Sequence, residues 1–238
     1  MIIGKDSPLN RLPSNLDRRQ TLFFDGIRYS LEMADTAYER LVRTLLSLVP
    51  GDKSSQNRLD QTVTSAMLDA WSLIDSVHRL RVLLKRTPRL KQKLPWLAVF
   101  YKATEEVDEL RNIAQHLDVE IPNFIINDSP IWGVFTWLVA TKQTNDVVFF
   151  SCLLVAGTLA KTEHRLINPA GLTMHAPVDR VTLTVNGHSV CLSTVMGQLP
   201  AVVSPIEKAL AEQCEGLPHA GADLFMSLAF KGETKKDG

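Results

Sequence analysis

The stretch DELRNIAQHLD, Asp108 to Asp118, carries Arg111, Asn112 and His116, with four residues between the arginine and the histidine. These residue types suit chemistry on a phosphodiester. An imidazole changes charge near neutral pH and can take a proton from a hydroxyl. A guanidinium grips phosphate oxygens as a fork and stabilises the charge that develops on them. On RNA, a deprotonated 2′-OH attacks the adjacent phosphorus and leaves a 2′,3′-cyclic phosphate, a route that needs no metal or other cofactor. In this assignment His116 is the base, Arg111 the phosphate clamp, and Asn112 orients the phosphate or the imidazole. A second reading stays open. In it Arg111 pairs with a carboxylate such as Asp75 or Asp69, and His116 is a solvated helix end, where the helix dipole favours a cation.

A helix must position these residues. Phe100, Ala103, Val107, Leu110, Ala114 and Leu117 predict one from about Pro95 to His116. At about 100° per residue, Arg111 lies about 40° from Val107, beside the apolar stripe. An unpartnered guanidinium there is costly, so Arg111 is expected to face a polar cleft, a carboxylate or a second subunit. His116 falls about 180° from Val107, so an ideal helix separates the pair. Either the helix ends or distorts near Gln115, or a dimer completes the site.

Two longer helices are predicted before it. In the first, Asp17 to Val49, residues Phe24, Ile27, Leu31, Ala34, Tyr38, Leu41, Leu45 and Leu48 step by threes and fours along one stripe. Pro50-Gly51 stops it, and GDKSSQN reads as a loop. The second stripe is Val63, Met67, Ala70, Trp71, Ile74, Val77 and Leu84, ending before Thr87-Pro88 because proline disfavours helix at the preceding residue. Three long amphipathic helices with short links make a bundle.

Arginine, a polar neighbour, four intervening residues and histidine, on a late helix of a helical bundle, resembles the HEPN superfamily. The resemblance spans roughly residues 17–120, about half of the chain. It implies a helical bundle that dimerises and, in many members, a metal-independent ribonuclease of toxin, defence or RNA-processing systems. Arg111, Asn112 and His116 are the matching positions. Some HEPN toxins carry a tyrosine two places after the histidine; here Asp118 stands there. A HEPN bundle usually has four or more helices, and three are read before the motif ends. The fourth comes from the C-terminal half, or from a segment read as strand.

The second half changes character. IWGVFTWLVA and VVFFSCLLVAG are β-branched and aromatic runs bounded by turn residues. In VTLTVNGHSVCLS, Asn186-Gly187 is the preferred two-residue hairpin turn. Pairing across it sets Val185 opposite His188, Leu183 opposite Val190 and Val181 opposite Leu192, all on one face. Three or four antiparallel strands are expected. SPIEKALAEQCEG then predicts a helix with Ser204 as N-cap, Pro205 in the first turn and Gly216 after the end. The fold expected is α+β. A helical HEPN-like bundle, residues 1–120, is followed by a small domain, 130–238, with an antiparallel hairpin and a C-terminal helix. The boundary falls in residues 119–130.

The formal net charge of the 238 residues is zero, so a nucleic-acid surface has to be a local patch. HRLRVLLKRTPRLKQK supplies one: Arg79, Arg81, Lys85, Arg86, Arg89, Lys91 and Lys93, with no acidic residue among them. It reads either as a contact surface for an RNA backbone or as a solvated helix end and loop. Trp71, Trp96, Trp132 and Trp137 suit core or interface anchors. His164, His175, His188 and His219 lack ligand spacing and read as surface residues. Cys152, Cys191 and Cys214 read as reduced, small core residues, and no pair has the short spacing of a zinc site. No phosphate-cradling glycine loop or nucleophile elbow occurs. The most apolar run is shorter than the roughly 20 residues of a membrane span, and a cytoplasmic protein is expected. RNA, a second copy of the chain, and a protein partner or antitoxin are the expected partners. The alternative to an enzyme is a non-catalytic scaffold of the same fold that dimerises and binds RNA or a protein.

Overall fold

The computed structural model describes residues 1–49, 59–143, 146–157, 166–214, 218 and 223–229. The fold is mixed α+β. Helix α1, Arg18–Ser47, starts where Asp17 closes a capping box with Gln20: the Gln20 N–H donates to the Asp17 carboxylate at 2.8 Å, and the Asp17 N–H donates to the Gln20 side chain. The predicted stripe is its inner face, with Ile27, Leu31, Ala34, Leu41 and Leu45 buried and Phe24, Tyr38 and Leu48 packed beside them. Helix α2, Leu59–Arg86, packs against α1 and ends before Thr87-Pro88, as the sequence predicts. There Thr87 Oγ1 donates to the Leu83 carbonyl at 2.8 Å.

The third predicted helix is divided. Helix α3 runs Pro95–Ala103, α4 Glu105–Gln115 and α5 Leu117–Ile126. The first break is at buried Thr104. Arg81 Nη1 donates to the Tyr101 carbonyl at 2.7 Å and to the Thr104 hydroxyl. In an uninterrupted helix that carbonyl would serve the N–H of residue 105. The second break is at His116. Helix α5 occupies most of the segment expected to be a link, residues 119–130, and carries Pro122 inside it.

Four strands follow: β1 Val134–Gln143, β2 Asp146–Val155, β3 Val178–Val185 and β4 His188–Cys191. They form one antiparallel sheet in the order β2-β1-β3-β4. The hairpin has the predicted register, Val185 opposite His188 and Leu183 opposite Val190. The expected pair Val181–Leu192 is not formed, because β4 ends at Cys191 and Leu192 begins α6; the Val181 N–H donates instead to Ser193 Oγ at 2.9 Å. Gly133 leads into β1 with φ +91°, and a Cβ there would lie 2.6 Å from the Thr184 carbonyl, so only glycine fits. Strand β2 is a ten-residue edge strand among the described residues, with Val147, Phe149 and Leu153 exposed.

Helix α6, Leu192–Cys214, begins twelve residues before the predicted N-cap, Ser204, and runs through Pro200 and Pro205. Each interior proline costs about 3 kcal/mol in a regular helix. Against that stands a continuous buried face of Leu192, Val195, Leu199, Val202, Val203, Ile206 and Leu210. One hydrophobic core runs through all six helices and the sheet. No helix among the described residues is long and apolar enough to cross a membrane. The loop 51–57, the tail 232–238, His164, Gly216 and His219 lie outside the described residues, as does the Cys214 side chain.

Candidate functional site

The polar centre of the helical part is built on a mismatch in α2. Arg81 falls in the same stripe as Val77 and Leu84, and its side chain is only 5% exposed. Arg81 therefore has to be matched inside the protein. Asp108, one turn into α4, does this: Arg81 Nε lies 3.1 Å from both carboxylate oxygens and Nη2 lies 2.8 Å from Oδ2. His78, three residues before Arg81, adds its Nδ1 to Asp108 Oδ1 at 2.7 Å. Burial works to raise the Asp108 carboxyl, but the bonds and charges of Arg81 and His78 outweigh it and hold the group below the usual carboxylate range.

Arg111 stands one turn after Asp108, with its side chain 27% exposed. Its contact with a carboxylate is loose: Nε is 3.9 Å from Asp75 Oδ1 and has no hydrogen-bond partner. Asp75 is held more closely by Arg79, at 2.6 Å. Asp69, the other carboxylate considered for Arg111, pairs with Arg40 at 3.1 Å. Arg111 lines two neighbouring cavities. The larger, about 440 Å³, is a groove between α1 and α2 that also takes Tyr29, Met33, His78 and Arg79. The smaller, about 200 Å³, is also lined by Trp71, Asp75 and Trp132.

His116 is placed differently. It is the residue between α4 and α5, with φ −119° and ψ 34°, so the helix ends at Gln115. Its backbone N–H donates to the carbonyls of Asn112 and Ile113, and its carbonyl accepts from Val119 and Glu120. Its side chain and that of Asn112 are exposed, and His116 lines neither of the Arg111 cavities. Among the described residues, then, Arg111 shares the groove with His78 and Arg79, and His116 is outside it.

The basic run divides in the same way. Arg81 is buried in its ion pair, a correction to its reading as a surface cation. Arg79 lies on the groove and is paired with Asp75. Lys85, Arg86, Arg89, Lys91 and Lys93 are exposed at the end of α2 and in the loop after it. Lys85 Nζ lies 5.4 Å from the Tyr101 ring centre, and Arg89 has φ +65° at the rim of a separate cavity of about 550 Å³. Among the described residues, no group of three or more His, Cys, Asp or Glu is gathered for a metal ion.

His78 and Asp108 were not singled out from the sequence. The sequence does carry a signal for them: Arg81 lies about 40° from Val77 on the wheel, the same offset as Arg111 from Val107, and a buried arginine requires a carboxylate. Comparisons with protein-family models, curated proteins and solved structures find no match to this chain.

Proposed function

We propose that the chain is a metal-independent endoribonuclease of HEPN type, a cytoplasmic toxin, defence or RNA-processing enzyme that acts as a homodimer. The observation that carries the reading is Arg111. Among the described residues its ion-pair contact is a single loose one, 3.9 Å to Asp75, and it opens on a groove from the helix that His116 caps. The division of the third predicted helix adds to it, because four helices now lie between Arg18 and the histidine. Arg111 grips the phosphate, Asn112 orients it, and His116 takes the 2′-OH proton. Because His116 lies outside the groove of its own chain, a second copy supplies it. The exposed cations from Lys85 to Lys93 extend the RNA path: Arg86 lies about 10 Å along α2 from Arg79.

A second reading is favoured by the Asp75 contact and by the distance between groove and His116. In it the dimer is a scaffold that binds RNA, a protein partner or an antitoxin without cutting. Incubation of purified protein with single-stranded RNA in EDTA separates the two. Cleavage should leave a 2′,3′-cyclic phosphate and spare the 2′-deoxy strand. His116→Ala should slow it by roughly 10²- to 10⁴-fold, and Arg111→Ala at least as much. Equal cleavage by wild type and His116→Ala identifies a contaminant, and an intact substrate with wild type leaves the scaffold.

A further inference from the structure

The groove of Arg111 holds more than the motif requires. Its walls are α1, through Gly26, Tyr29 and Met33, and α2, through His78 and Arg79. Its volume, about 440 Å³, lies within the range of roughly 300–1,000 Å³ usual for small-molecule sites. Its lining carries Arg79 and Arg111 and, among the described residues, no carboxylate. Asp75 and Asp108 stand behind it, matched by Arg79 and Arg81, and Asp223, bonded to the Tyr29 hydroxyl, is matched by Arg28. Arg111 is the cation in excess, so the groove favours an anion. The Asp108 carboxylate accepts from His78 Nδ1, which fixes a proton on that nitrogen and leaves Nε2 as the ring nitrogen open to a ligand.

We propose that this groove is a phosphate-ester site in which Arg111 takes the charge and His78, braced by Asp108, contacts the ester through Nε2 as the proton donor to the leaving oxygen. The donor role rests on the ribonuclease reading above; the phosphate site does not. In the cleavage step the 2′-oxygen gives its proton to His116 of a second copy and bonds to phosphorus. The P–O5′ bond breaks, and the 5′-oxygen takes the proton of His78 Nε2. His116 then releases a proton to solvent and His78 takes one up. No water, metal or electron enters the balance. The charged and titratable groups around His78 are Asp108 and Arg111 from α4, Arg79 and Arg81 from α2 and Tyr29 from α1.

The first test needs no activity. Ring resonances of His78 are followed by NMR in the full-length protein as inorganic phosphate, and then a 2′-deoxy dinucleotide, is added. The His78 signals should move and its titration midpoint rise, the response should vanish in Arg111→Gln, and exposed His175 should stay unchanged. His78 signals unmoved by millimolar phosphate and dinucleotide overturn the site. The second test uses His78→Gln, with its melting curve as a check on folding. On RNA its rate should fall about 10²-fold or more, with loss of the alkaline limb of the pH profile. On a uridine 3′-phosphodiester with a nitrophenol leaving group, which departs without a proton, the loss should be within a few-fold. Equal losses on both substrates overturn the donor role. If wild type cuts neither substrate, the enzyme reading and the donor role fall together, while the phosphate titration still decides the site.

Discussion

Two aspartates show how differently one residue type behaves in this fold. Asp108 has two partners and titrates low. Asp69 is 3% exposed and has Arg40, itself half exposed, as its ion-pair partner; burial pushes its carboxyl above the ordinary range against the pull of Arg40 and Arg43. The folded state therefore binds the Asp69 proton more tightly than the unfolded chain does. Stability contributed by this group is present below the unfolded value, near 3.9, and is lost as pH rises through the higher folded one. Asp69→Asn removes that slope. Urea denaturation of the variant should look more favourable relative to wild type at pH 7 than at pH 4. The same difference at both pH values would mean that the carboxyl is effectively solvated.

At the scale of elements, Arg81 joins α2 to the break between α3 and α4. Arg81→Ala leaves Asp108 with His78 alone and removes the donor to the Tyr101 carbonyl, while the Thr104 hydroxyl keeps its bond to the Phe100 carbonyl. The expected loss is about 3 kcal/mol, since the remaining charge is only partly exposed. A loss below about 1 kcal/mol in a denaturant titration would show that water replaces the guanidinium there. This joint also marks where sequence reading stopped. The stripes of α1 and α2 and the Asn-Gly hairpin were legible because periodicity and turn chemistry are local. The stripe from Phe100 to Leu117 runs on through Thr104, so the break, made by a side chain from another helix, was not. Pro205 predicts a helix start because proline has a strong local preference, yet the buried face from Leu192 to Ile206 overrides it. Arg111 was found from its place beside a stripe. His78 was missed because its partner lies thirty residues away.

At the scale of the molecule, the net charge is zero, so the proposed RNA binding would rest on the cations at one end of α2 and in its loop. Binding should fall steeply with salt, by about 0.7 in the log–log slope for each single-strand phosphate contact. The combined variant Arg86→Glu, Arg89→Glu and Lys91→Glu should weaken binding to most sequences alike and flatten the slope by about 2. Fluorescence anisotropy at low and moderate salt measures this. An affinity that ignores salt would make the cluster a solvated face.

Strand β2 has a consequence for how the protein behaves in bulk. Among the described residues its outer side offers a row of N–H and C=O groups beside Phe149 and two exposed aliphatic residues. Such a rim is a template on which another extended chain can crystallise, as in cross-β growth. Heating or concentration should therefore drive precipitation through the sheet. Phe149→Lys should raise the concentration at which turbidity appears and leave the helical part of the circular dichroism spectrum unchanged; an unaltered turbidity threshold would place the adhesive surface elsewhere.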